Sequence, residues 1–97
     1  MSNKILTITV PTYNIENYIG KCIESFKAVN SDYYSDFEVL IINDGSTDNS
    51  VQVVENLMED SNLDLRIITK ENGGHGSTIN RGIKEASGKY FKVIDGD

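Results

Sequence analysis

Residues 37–58 read FEVLIINDGSTDNSVQVVENLM, and this stretch decides the fold. Residues 37–42 hold the longest apolar run of the chain, Val39-Leu40-Ile41-Ile42, which has no polar position to turn toward water, as a strand buried on both faces requires. Asp44-Gly45-Ser46-Thr47-Asp48 then offers turn and helix-capping chemistry. Val51, Val54, Leu57 and Met58 follow at the spacing of one helical face. The stretch is strand, turn, helix.

The same unit repeats on both sides. Upstream, residues 5–10 form a first strand that ends at Pro11, and Ile15, Tyr18, Ile19, Cys22, Ile23 and Phe26 mark one stripe of an amphipathic helix with Asn14 as its N-cap. Residues 30–36 are a polar loop closing that helix. Downstream, residues 65–69 form a third strand and Asn72-Gly73-Gly74-His75-Gly76 a loop. A third helix follows through Ile79, Ile83 and Ala86, with Gly88 as a left-handed cap, and residues 90–94 form a fourth strand. The order β-α-β-α-β-α-β, with crossovers long enough to hold a helix, gives parallel strands and right-handed connections. The expected fold class is α/β, an open, doubly wound, mainly parallel sheet.

Composition bounds the function. At 97 residues the chain is one domain, 1–97, able to hide roughly two thirds of its surface in a single core. It is 38% apolar and 25% charged with one proline, as soluble globular chains are. A formal charge of −6 opposes nucleic acid and anionic membranes as partners. The apolar run of residues 39–42 is far short of the ~20 residues that span a bilayer, so no membrane segment is expected. A lone cysteine, Cys22, has no internal disulfide partner and no leader pattern precedes it; both point to the cytoplasm. Cys22 lies on the helical stripe and reads as core packing.

In open parallel sheets, ligands bind beyond the carboxyl ends of the strands. Pro11-Thr12-Tyr13-Asn14, Asn43-Asp44-Gly45-Ser46, Asn72-Gly73-Gly74 and Asp95-Gly96-Asp97 follow strands one to four, so all the polar clusters fall on one edge. The opposite edge carries plain connectors at residues 31–36 and 60–64. Asp48 reads as a helix cap, and His75, the only histidine, as a solvated loop residue. Alternation in an extended segment points Asp95 and Asp97 to the same side.

These clusters, together with Thr47, Asp48, Asn80 and Gly82, resemble the family 2 glycosyltransferases of the GT-A fold, over nearly the whole chain. The resemblance implies a Rossmann-like sheet in the order 3-2-1-4 and a site for a nucleoside-diphosphate sugar, with UDP as the expected nucleotide. It implies that Tyr13 stacks on the base, that Pro11 and Thr12 offer backbone contacts, and that Asp44 accepts a hydrogen bond from the base. Asn14, Asn72, Gly73, Gly74 and Asn80 join them as nucleotide-sugar-binding residues. Asp95 would sit near the ribose and the metal, and Asp97 would coordinate the divalent cation, Mg²⁺ or Mn²⁺. A carboxylate ~4 Å from a phosphate oxygen repels it by about 1 kcal/mol in water and about 4 at an effective dielectric of 20. An acidic mouth therefore needs a hard cation between the two, which would also stabilise the departing diphosphate.

Two departures limit the resemblance. Where many relatives carry Ala-Arg-Asn in the third helix this chain has Thr78-Ile79-Asn80, and Arg81 lies about 200° around the helix from Ile79. The second is the end at Asp97: the resemblance implies an acceptor-binding half with the general base after this point in family members, so no catalytic residue is assigned. The expected activity is inverting, metal-dependent transfer of a sugar to an acceptor hydroxyl or amine, with this chain the donor-binding fragment. The alternative is a non-catalytic nucleotide-binding fragment or module. A dinucleotide dehydrogenase is excluded because Gly-x-Gly-x-x-Gly is missing after strand one. In a fragment, strand four is an uncovered edge, and self-association through residues 90–94 is expected.

Overall fold

The computed structural model describes residues 4–59 and 61–95. In chain order the elements are β1 (Leu6–Thr12), α1 (Glu16–Lys27), β2 (Phe37–Asn43), α2 (Ser50–Met58), β3 (Leu65–Thr69), α3 (His75–Glu85) and β4 (Tyr90–Val93). The polar loop before β2 is wound into a short 3-10 helix, Ser31–Asp36, whose Asn30 side chain accepts from the Asp32 N–H. The strands pair in the order β3-β2-β1-β4, every pair parallel, as expected.

Register places Ile8 beside Val39 and Val10 beside Ile41, so with period two these side chains share one face. Ile19, Ile23 and Phe26 of α1 and Val54 of α2 close over that face. Val10, Ile19, Val39, Ile41 and Val54 are completely buried, each contributing about 1.5–3 kcal/mol. Tyr18, placed on the same stripe by its spacing, is instead 56% exposed.

The other face of β1 presents Thr7 and Thr9, and α3 packs there through Thr78 and Gly82. A Cβ on Gly82 would lie 2.5 Å from Thr9 Oγ1 and 2.7 Å from its Cγ2, so only glycine allows this approach. The expected apolar stripe of α3 is not what packs: Ile83 is largely exposed and Ala86 lies past the helix end. A helix that meets a polar strand face at backbone distance uses small residues, which apolar spacing does not reveal.

Two further expectations are corrected. β1 continues through Pro11, which pairs in register with Ile42, to Thr12. The β4 ladder ends at Val93 opposite Thr9, so the missing N–H of Pro11 faces a side where, among the described residues, no strand remains to be paired. Gly88 is not a left-handed cap, because Gly45 and Gly74 are the glycines with positive φ among the described residues. Gly88 is instead a close-approach residue: a Cβ there would lie 2.6 Å from the Thr7 nitrogen.

At this lower edge the carboxylate of Glu38 is buried. Its Oε2 accepts from Thr7 Oγ1 (2.6 Å), the Ser87 N–H (2.8 Å) and Ser87 Oγ (2.8 Å), and the Arg66 guanidinium stands 4.0 Å from Oε1. Burial alone would raise its pKa; these donors and Arg66 outweigh burial and hold it below the ordinary carboxylate value. The network ties β1, β2 and β3 to the connection between α3 and β4.

Candidate functional site

Because the strands are parallel, their carboxyl ends open together, and a cleft of about 380 Å³ lies there. Pro11, Thr12, Tyr13, Asp44, Asn72, Gly74 and Asp95 line it, as do Ile15, His75 and Thr78. Seven of the residues expected at the site are thus brought together from four separate strand ends. Tyr13 is half exposed at the rim. His75, read as a solvated loop residue, is exposed but opens α3 and borders the cleft.

Asp44 forms the floor. Its backbone N–H donates to the Thr12 carbonyl (2.8 Å), which joins the ends of β1 and β2. Its Oδ1 accepts from Lys70 Nζ (2.8 Å) and the Gly73 N–H (2.9 Å), and its Oδ2 from the Gly74 N–H (3.0 Å). The Asp44 carbonyl accepts from Asn72 Nδ2 (3.1 Å). Burial pushes the pKa up, but Lys70 and the two backbone donors outweigh it, so Asp44 is held below its ordinary value and stays ionised. The turns that permit this are glycine turns, with φ of 74° at Gly45 and 91° at Gly74.

Other expected residues serve the scaffold. Asn14 is not the cap of α1: the N-cap position is held by Ile15, whose own side chain makes no capping hydrogen bond. With φ at 51°, Asn14 instead turns its Oδ1 to accept from the N–H groups of Thr47 (2.8 Å) and Asp48 (3.3 Å), clasping two loops. Asp48 caps two helices at once, accepting the Ser50 N–H (2.9 Å) on Oδ1 and the Glu16 N–H (3.1 Å) on Oδ2. Asn80 is exposed on α3 and does not border the cleft, and Arg81 is paired with Glu85 at 2.9 Å. Gly73 reaches the cleft only through its bond to Asp44.

Asp95 is exposed at the lip, where it borders both this cleft and a second groove along α1 past Tyr18, Lys21 and Cys22. Asp97 lies outside the described residues, and among the described residues no cluster of three metal-ligating side chains occurs. One carboxylate at a cleft lip fits a hard cation that takes its remaining oxygens from a ligand's phosphates and from water, and does not fit a cage of protein ligands.

Lys70 was not anticipated. Its position is legible in hindsight from register: Asn43 pairs with Thr69, so the next residues of two parallel strands, Asp44 and Lys70, must emerge side by side. No local pattern in the chain gives that register.

Comparison with known proteins agrees with this geometry. The chain is 38% identical over 94 residues to the glycosyltransferase GlyA of Streptococcus pneumoniae, covering 95% of this chain and 13% of that protein. It superposes on residues 1–349 of TarS from S. aureus in complex with UDP-GlcNAc with TM-score 0.84 and 33% identity, over 96% of this chain and 26% of that one. It superposes on the mannosyltransferase PcManGT from Pyrobaculum calidifontis in complex with GDP-Man and Mn²⁺ with TM-score 0.83 and 25% identity, over 95% of this chain and 27% of that one. The chain thus spans about an eighth to a quarter of the lengths of these relatives. The model of glycosyl transferase family 2 matches residues 7–97, and with the parallel sheet and its polar edge in place the chain belongs to that family.

Proposed function

We propose that this chain is the donor-binding part of a glycosyltransferase and that its cleft holds a nucleoside-diphosphate sugar, with UDP as the nucleotide. The carrying observation is Asp44. An ionised carboxylate only accepts, at about four lone-pair sites, and three are occupied by Lys70, Gly73 and Gly74. One acceptor site remains on Oδ2 at the floor of the cleft, which suits the single imide N–H of uracil. Tyr13 at the rim supplies a stacking face, worth about 1–3 kcal/mol per base. Pro11 and Thr12 line the wall, while Asn72, Gly73 and Gly74 set the loop opposite. Asn14 and Asn80 act at a distance from the base, through the loops and α3.

Asp95, with Asp97 beside it in sequence, would hold Mg²⁺ or Mn²⁺ against the diphosphate. When bound, such an ion offsets the acid–phosphate repulsion and stabilises the leaving group as a Lewis acid. Inversion at the anomeric carbon, and a general base outside the described residues, complete the reading. A single half-buried thiol, Cys22, its pKa raised by burial, suits a cytoplasmic setting. Among the described residues no helix is long and apolar enough to cross a membrane. β4, an edge strand with Tyr90 60% exposed, is the surface proposed for self-association, which sedimentation at rising concentration measures.

Calorimetric titration of UDP with and without Mn²⁺ tests the reading. Binding should strengthen with the metal and fall at least tenfold in Asp44→Ala, by the loss of a charged hydrogen bond. Absence of binding under both conditions, or binding indifferent to Asp44→Ala, overturns it. Binding without sugar transfer in any longer chain would favour a nucleotide-binding module instead.

A further inference from the structure

We propose that Lys70 is a positioning residue for the base-reading carboxylate, holding Asp44 in one orientation as an anionic acceptor while touching no ligand itself. The inference rests on the cleft's being a base site. Lys70 Nζ donates to Asp44 Oδ1 (2.8 Å), Ser77 Oγ (2.8 Å) and the Glu71 carbonyl (2.5 Å). An ammonium group has three protons, and all are placed on protein acceptors. With its side chain 15% exposed, Lys70 has no donor left for a phosphate.

The three acceptors belong to three parts of the cleft. Asp44 directly follows β2, Glu71 follows β3, and Ser77 lies in the first turn of α3. Ser77 Oγ in turn donates to the Gly74 carbonyl (2.8 Å), closing the loop whose N–H groups also bind Asp44. Gly73 gives an independent sign that space is kept for the ammonium. A Cβ there would lie 3.1 Å from Lys70 Nζ and 2.8 Å from Ser77 Oγ, displacing both.

Without the ammonium, Oδ1 keeps only the Gly73 N–H, and the carboxylate is free to turn and to take up a proton. A fixed anionic acceptor favours a base that presents a ring N–H, as uracil does at N3, over cytosine, whose N3 is itself an acceptor. A turned or protonated Asp44 loses that distinction. Lys70 is therefore a determinant of base choice acting through Asp44.

The test compares UDP and CDP affinities, with Mg²⁺ present, for the unmodified chain, Lys70→Met and Lys70→Gln, alongside a ¹³C NMR titration of the Asp44 carboxyl without ligand. Lys70→Met should weaken UDP on the order of tenfold, leave CDP nearly unchanged, and raise the titration midpoint of Asp44. Lys70→Gln, whose amide still donates, should recover part of the UDP preference; it carries the test alone if Lys70→Met does not fold. Equal weakening of UDP and CDP, or an Asp44 titration unmoved in both variants, overturns the inference. An unmodified chain that does not tell UDP from CDP refutes the base-site reading, and the ligand-free titration then decides the role of Lys70 by itself.

Discussion

Glu38 and Asp44 stand at opposite ends of one buried strand, and each keeps only 3% of its surface exposed. Both are ionised beyond what burial would allow, because hydrogen-bond donors and a cation surround them. What differs is the remainder. Glu38 is enclosed by Thr7, Ser87 and Arg66, whereas Asp44 lines the cleft, where the proposed reading gives it one free acceptor site. The same desolvated charge is a clamp at one edge of a parallel sheet and a reader at the other. Topology decides which, since the loops at the carboxyl edge diverge around a space and those at the amino edge close on the strands.

The contrast is most exposed to failure in stability. Glu38→Ala removes the carboxylate that accepts from buried Thr7 Oγ1 and from both Ser87 donors, and should lower the free energy of unfolding in urea by about 3 kcal/mol. Asp44→Ala should cost less stability and more ligand affinity. Reversal of that order would erase the distinction between clamp and reader.

Acid gives the next largest effect. Glu38, Asp44 and Asp48 all have folded pKa values below their ordinary ones. Their stabilising contribution is therefore complete above the unfolded values near about pH 4 and is lost as pH falls through the folded values. Thermal melting should be level near neutrality and fall below about pH 4, with a shallower fall in Glu38→Gln. A melting temperature that rises on acidification would contradict the assigned networks.

The smallest effects come from two glycines, one at each edge. Gly88→Ala forces a Cβ to 2.6 Å from the Thr7 backbone and should cost about 1–3 kcal/mol. Gly76→Ala, beside the cleft, meets nothing within 4 Å and should be neutral or stabilising by about 0.5 kcal/mol. Equal penalties would mean that the cleft edge is as closed as the clamp.

How far the chain could be read follows from the range of each interaction. Buried strands show as apolar runs and α1 largely as a periodic stripe, so Val39-Leu40-Ile41-Ile42 and the buried trio Ile19, Ile23 and Phe26 were legible locally. The strand order was legible only through resemblance, because no residue encodes which neighbour a strand takes. Seven cleft residues were legible because turn chemistry and ligand chemistry share the carboxyl edge. Lys70, the Glu38 network and the clasp by Asn14 were not, since each depends on a partner 26 to 49 residues away. The packing face of α3 was missed for a different reason: Gly82 and Thr78 make contact by being small.

The most direct test is a ¹H–¹⁵N NMR titration with UDP and Mg²⁺, read residue by residue. The account predicts shifts concentrated on the amides of Tyr13, Asp44, Gly73 and Gly74, with Thr7, Ser87 and Gly88 unmoved, and loss of the pattern in Asp44→Ala. Shifts centred on the Glu38 edge, or a pattern unchanged by Asp44→Ala, would contradict it.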